Sequence, residues 1–210
     1  MSKVVQNVPV VGMSPGNSYF SEEIIEWLLQ KVAKQYGTVS VFIADIPAIS
    51  TYTAVGYSEK EARAKAVLKS NNLKNKVARA IEKLNLDKKD VHVVDWKNEI
   101  EENLEYRRHY GIVRKMYDEN GSFRKDTDDT TAFVLKGLKK EDLDIQVATQ
   151  IANHYLLSEL AFLEFAPTFF SAAKVTYVYH AHWMVYEKYI NGAYDGKPRN
   201  KLGFQIVTKA

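Results

Sequence analysis

The chain of 210 residues contains no cysteine. That excludes disulfides, thiolate metal sites and a cysteine nucleophile. No apolar run approaches the ~20 residues that a membrane-spanning helix needs. No secretory leader is read at the start, where Gln6 and Asn7 interrupt the first apolar stretch. The expected location is therefore cytoplasmic, with no membrane partner. The net charge of +3 is too small to argue for nucleic-acid binding by itself. Repeats, low-complexity tracts and interdomain linkers are missing, so residues 1–210 read as one domain. A dinucleotide fingerprint is missing too: Gly12-Met13-Ser14-Pro15-Gly16 lacks a third glycine in register, and no P-loop lysine follows.

What is present is a chain that is 46% hydrophobic and 12% aromatic, enough for a sizeable core. Strand-like and helix-like periodicities alternate along it. Strands are expected over Val4 to Val11, Val39 to Ala44, Val91 to Asp95, Val175 to His180 and Leu202 to Val207. Helices are expected over Glu22 to Tyr36, Ser58 to Leu84, Glu99 to Tyr117, Leu143 to Phe165 and Met184 to Ile190. Pro47 to Gly56 reads as a polar connection, and Asp118 to Asp129 as a charged, turn-rich loop. The alternation argues for an α/β fold, a Rossmann-like three-layer sandwich around a mostly parallel sheet.

The segment from Val8 to Ser18 carries the strongest local signal. An apolar run stops at Gly12, Ser14 stands in a turn made by Pro15 and Gly16, and Ser21 precedes Glu22 and Glu23 as a helix cap. A serine just past a strand tip is exposed to whatever binds there. Ser14 is thus a candidate nucleophile; an ordinary strand-to-helix turn is the competing reading. On the helix over Leu143 to Phe165, Tyr155 and Glu159 are four residues apart and share a face. That face is surrounded by Leu156, Leu160, Phe162 and Leu163, where a carboxylate is costly to bury unless paired. On the strand ending at His180, Tyr177 and Tyr179 point to one face and His180 to the other. His180 and His182 are spaced to share an ion, but no third ligand stands nearby, and no metal is expected.

The helix over Ser58 to Leu84 carries eight basic residues against three acidic ones. Lys65, Lys69, Lys76 and Lys83 fall on one flank of its apolar stripe, with Arg79 close by. At ~1.5 Å per residue such a helix is about 40 Å long, enough to track a phosphate backbone.

Taken together, the Gly12–Asn17 turn, Tyr155-Leu156-Leu157-Ser158-Glu159, Ala166-Pro167 and Tyr177-Val178-Tyr179-His180 before Trp183 resemble the cyclodipeptide synthases. The match runs from about Val8 to Trp183. Asn17, Tyr179 and His180 are similar to an asparagine-tyrosine-histidine subfamily. Ala161 stands where members often carry proline, and His182 where another residue is usual.

The resemblance implies a fold similar to the catalytic domain of class I aminoacyl-tRNA synthetases. It also implies synthesis of a 2,5-diketopiperazine from two aminoacyl-tRNAs without ATP, metal or organic cofactor. By the same resemblance Ser14 accepts the first aminoacyl group, and Tyr155 and Glu159 hold its amino group. Tyr179 relays protons, and Gly12, Asn17 and His180 support the site. The amino group of the second aminoacyl-tRNA is expected to attack the Ser14 ester, giving a dipeptidyl-enzyme whose ring closure frees the product. Val10, Phe42, Ala44, Phe162, Leu163 and Tyr177 are expected to line the pocket for the first side chain, by their positions at strand tips or beside Glu159. Lys65, Lys69, Lys76, Arg79 and Lys83 are expected to bind tRNA. Two rival readings remain: a non-catalytic tRNA-binding protein on a synthetase-like fold, and a serine hydrolase of aminoacyl esters.

Overall fold

A computed structural model describes residues 5–87, 89–138 and 143–209; Val4, expected to open the first strand, lies outside them. Five strands form one all-parallel sheet: β1 (Val5–Met13), β2 (Val39–Ile43), β3 (Val91–Val94), β4 (Ala172–Tyr179) and β5 (Leu202–Ile206). Their spatial order is β3-β2-β1-β4-β5. β2 and β3 extend the sheet to one side of β1, and β4 and β5 to the other. Such a reversal leaves a crevice beyond the carboxyl ends of the two central strands, where α/β folds bind ligands. Here those ends are Met13 and Tyr179, aligned because Val10 pairs with Tyr177 and Val11 with Val178. Val10, Val11, Val41, Ile43, Val175 and Val178 are wholly buried, which explains apolar runs rather than alternation in the central strands.

The helices are α1 (Glu22–Tyr36), α2 (Ala48–Ala54), α3 (Glu59–Lys83), α4 (Leu104–Glu119), α5 (Gly121–Gly137), α6 (Ile145–Phe169) and α7 (Met184–Ile190), with a π-helical turn over Trp96–Ile100. Ser21 caps α1 by accepting from the Ile24 N–H. Ser58 and Glu61 form a reciprocal capping box on α3, which fixes where the basic helix begins. α6 is the central helix and buries most of its circumference. No helix among the described residues is long and apolar enough to cross a membrane.

Two connections differ from expectation. The stretch from Pro47 to Gly56 contains α2, whose Ala48 and Ala54 are buried. The expected loop over Asp118 to Asp129 is instead the end of α4 and the start of α5. Asn120 separates the two helices and caps the second, its side chain accepting from the Phe123 N–H. The charges that suggested a solvated loop are spent in contacts. Asp126 accepts from Lys188 at 2.8 Å and from Tyr194 at 2.7 Å, and Asp128 accepts from Tyr117 at 2.8 Å and Asn153 at 2.6 Å. Tertiary partners here override a composition that favours turns.

Candidate active site

β1 delivers Ser14 to the crevice. The turn is closed by the Asn17 N–H donating to the Ser14 carbonyl at 3.2 Å. Gly16 has φ of +82°, a conformation costly for any residue with a Cβ. The Ser14 hydroxyl lies 2.9 Å from the hydroxyl of Tyr179, which β4 brings to the same edge. Asn17 joins turn to strand. Its Oδ1 accepts from the Tyr19 N–H at 3.0 Å, and its amide nitrogen sits 3.2 Å from His180 Nε2. The amide can only donate there, so Nε2 is an acceptor and the ring is neutral. Burial pushes the His180 pKa down, in the same direction. The ring stacks on Tyr19 at 3.9 Å, so His180 braces the turn.

Gly12 lies on β1 beneath Tyr177. A Cβ there would come within 2.0 Å of the Tyr177 hydroxyl, so the glycine makes room for that ring. Tyr177 reaches across it and donates to Glu159 Oε1 at 3.4 Å, while Tyr186 of α7 donates to Oε2 at 2.5 Å. Glu159 is 6% exposed. Burial raises its carboxyl to about 7, and the phenols of Tyr186, Tyr155 and Tyr177 oppose the rise. Burial also raises the Tyr155, Tyr177, Tyr179 and Tyr186 hydroxyls, with Glu159 adding to each, so all four remain protonated at neutral pH. The Tyr155 hydroxyl is buried beside Glu159 and Ser14, close enough to bear on both but with a well-aligned hydrogen bond to neither, so it can turn toward a group entering the cavity. The expectation that Glu159 would need a partner is met by phenols and not by a lysine. Tyr186 was not singled out from the sequence, because nothing in its spacing shows that α7 folds back over α6.

These groups open into a cavity of about 620 Å³. Ser14, Asn17, Tyr155, Glu159, Tyr179, His180 and Tyr186 line it, with the apolar Phe133, Val134 and Leu135 of α5 and the cationic Lys65 and Lys69 of α3. The residues expected to line a pocket for the first side chain belong to the buried core. Val10, Phe42, Ala44, Phe162, Leu163 and Tyr177 are all buried, and none lines this cavity. Phe42 instead stacks on Phe162 with centroids 4.1 Å apart, filling the space between β2 and α6. The basic row also divides. Lys76 donates to the Phe20 carbonyl at 3.0 Å, Arg79 pairs with Glu22, and Lys83 sits 2.7 Å from Glu26. Those three fasten α3 to α1 and the segment before it. Lys65 donates to the Tyr57 hydroxyl at 2.6 Å and lies over that ring at 4.2 Å. Lys69 has no ion-pair or hydrogen-bond partner among the described residues. His182 pairs with Glu187 at 2.9 Å rather than with His180.

A parallel α/β sheet whose central strands present a serine and a tyrosine, with a buried carboxylate from α6, to one cavity defines an enzyme-like site suited to acyl transfer. The protein-family model described as cyclodipeptide synthase matches residues 6–209, and the chain belongs to that family. A cyclo(L-leucyl-L-leucyl) synthase of Bacillus subtilis is 26% identical over 204 residues, which cover 94% of this chain and 81% of that protein. Solved structures agree in fold. A Mycobacterium tuberculosis protein, whose structure relates cyclodipeptide synthetases to type I tRNA synthetases, superposes with a TM-score of 0.78 at 21% identity, over 98% of this chain and 86% of that one. A cyclodipeptide synthase from Candidatus Glomeribacter gigasporarum, determined bound to Phe-tRNAPhe, gives 0.67 at 17% identity, over 100% of this chain and 91% of that one.

Proposed function

We propose that this chain joins two aminoacyl-tRNAs into a 2,5-diketopiperazine through aminoacyl and dipeptidyl esters of Ser14. The observation that carries the reading is the 2.9 Å contact between the Ser14 and Tyr179 hydroxyls in a cavity that also holds Glu159 and Tyr155. Ser14 Oγ attacks the ester carbonyl of the first aminoacyl-tRNA, and the ribose oxygen leaves with a proton. Tyr179 is held as a phenol, so it passes that proton along rather than acting as a free base. The substrate ammonium docks on the ionised Glu159, with the Tyr155 hydroxyl beside it.

Atom balance sets the direction of the second step. Attack on the Ser14 ester by the second amino group would leave the dipeptide on tRNA. A dipeptidyl-serine forms only if the amine of the Ser14-bound residue, deprotonated at Glu159, attacks the second ester. We adopt this direction in place of the one expected from the sequence. The remaining free amine then attacks the Ser14 ester, closes the ring and releases Oγ, which takes its proton back through Tyr179. The ester bonds carry the free energy, so no ATP is required. Asn17 and His180 hold the serine turn, in keeping with the subfamily reading. Lys65 and Lys69 are the cations placed to meet tRNA phosphates near the cavity. A cytoplasmic location goes with this reading, because charged tRNA is the substrate.

The test is Ser14→Ala in cells and with purified protein. Product by mass spectrometry should vanish, and no labelled aminoacyl group should survive denaturation on the variant. A labelled serine ester in wild type without cyclic product would indicate a hydrolase. Binding of tRNA with neither ester nor product would indicate a non-catalytic tRNA-binding protein.

A further inference from the structure

The mechanism gives Glu159 two tasks, holding an ammonium and accepting its proton, yet the carboxylate is buried on α6 with no cation bonded to it among the described residues. What faces it comes from three elements: Tyr155 on α6, Tyr177 and Tyr179 on β4, and Tyr186 on α7. The cavity adds Ser14, the neutral His180, Lys65 and Lys69. Two of the phenols take one carboxylate oxygen each, and Tyr186 has the shorter bond. Tyr186 is itself fixed, because its ring stacks on Tyr177 at 5.5 Å and on Phe204 of β5 at 5.7 Å. Its hydroxyl therefore approaches Glu159 from a rigid platform built by two strands.

We infer that Tyr186 is a positioning residue for the reaction: with Tyr177 it clamps both oxygens of Glu159 and presents the carboxylate to the cavity as an anion. A phenol donor stabilises the charged form of a carboxyl group and does nothing comparable for the neutral form, whose own proton competes for the space. Removing the Tyr186 hydroxyl should make Glu159 hold its proton to higher pH. Below that pH the group can neither bind an ammonium nor accept a proton. The loss of activity should be large in mild acid and shrink as the pH rises. This inference rests on the proposed role of Glu159.

The experiment compares wild type with Tyr186→Phe, which keeps the stacked ring. The carboxyl carbon of Glu159 is followed by NMR in protein labelled at glutamate, assigned by its loss in Glu159→Gln. Single-turnover acylation of Ser14 is measured over the same pH range. The expected result is a titration midpoint near 7 in wild type that rises by roughly one pH unit in the variant, as loss of one charge-assisted hydrogen bond requires. The acid limb of acylation should move with it, giving about a tenfold loss one unit below the wild-type midpoint. An unmoved midpoint, or a rate lowered by the same factor at every pH, overturns the inference. Tyr177→Phe removes the longer bond and should move the midpoint by less; an equal or larger movement also counts against the primacy of Tyr186. If the midpoint moves while wild-type Ser14 is never acylated, the clamp stands and the proposed reaction falls.

Discussion

Replacing Gly12 with alanine tests how the site is built, because the backbone at Gly12 does not have a positive φ and would accept any residue. The obstacle is the Tyr177 ring. An alanine Cβ would sit 2.0 Å from its hydroxyl oxygen, 2.4 Å from Cζ and 2.6 Å from Cε2. The oxygen is about 1.4 Å inside the 3.4 Å at which ordinary contact begins. The ring has nowhere to go, being fully buried and stacked against Tyr179, Tyr186 and Phe204. Overpacking of this kind costs about 1–3 kcal/mol. Displacing the hydroxyl from Glu159 adds about 1 kcal/mol, and the stiffer unfolded chain returns ~0.4–1 kcal/mol. The net expectation is a loss of about 2 kcal/mol, or roughly 4–8 °C in Tm for a chain of this length. Urea and thermal unfolding of Gly12→Ala, Tyr177→Leu and the double variant measure it. The shorter leucine should relieve the clash, so the double variant should lose at least ~1 kcal/mol less than the two single losses combined. Additive losses, or Gly12→Ala within ~0.5 kcal/mol of wild type, would refute the reasoning.

Glu159→Gln should separate function from stability. Because burial raises this carboxyl from 4.5 to about 7, the native state binds the extra proton between those values, and wild-type stability falls as pH climbs through them. Unfolding at pH 8 should find the glutamine variant more stable than wild type by up to roughly 3 kcal/mol, with little advantage near pH 4.5 and at least a tenfold loss of product formation. A variant that is less stable at pH 8 would show that the carboxylate holds the fold together. Charge reversal at Lys65 and Lys69 should weaken tRNA binding and lower its log–log salt slope by up to about 1.8. Lys83→Glu, which instead opposes Glu26, should leave the slope unchanged and alter stability little, because Lys83 is exposed. A slope that responds to Lys83 and not to Lys69 would move the tRNA path to the α1 side of α3.

The local elements were legible where one chemical signal dominates a short stretch. The five strands and the helices α1, α3 and α6 follow from periodicity, and the start of α1 from the Ser21 cap, because such preferences act over a few neighbouring residues. The segment from Asp118 to Asp129 misled because its acids are bound by Lys188, Tyr194, Tyr117 and Asn153, partners 11 to 68 residues away. Lysines in register on α3 looked equivalent, yet Lys76, Arg79 and Lys83 meet α1 and the segment before it while Lys65 and Lys69 meet the cavity. Helical spacing defines a flank and says nothing of what that flank touches.

The sequence by itself determined an α/β chain with Ser14 just past a strand tip, Tyr155 and Glu159 on one helical face, and Tyr177 and Tyr179 on one strand face. Only the tertiary structure decided that the Ser14 and Tyr179 hydroxyls meet 165 residues apart, that Gly12 yields its space to Tyr177, and that Tyr186 closes on Glu159. The physical reason is that spacing along one element sets direction, whereas distance between elements is set by the parallel pairing of β1 with β4 and the packing of α6 on β4 and of α7 on β5.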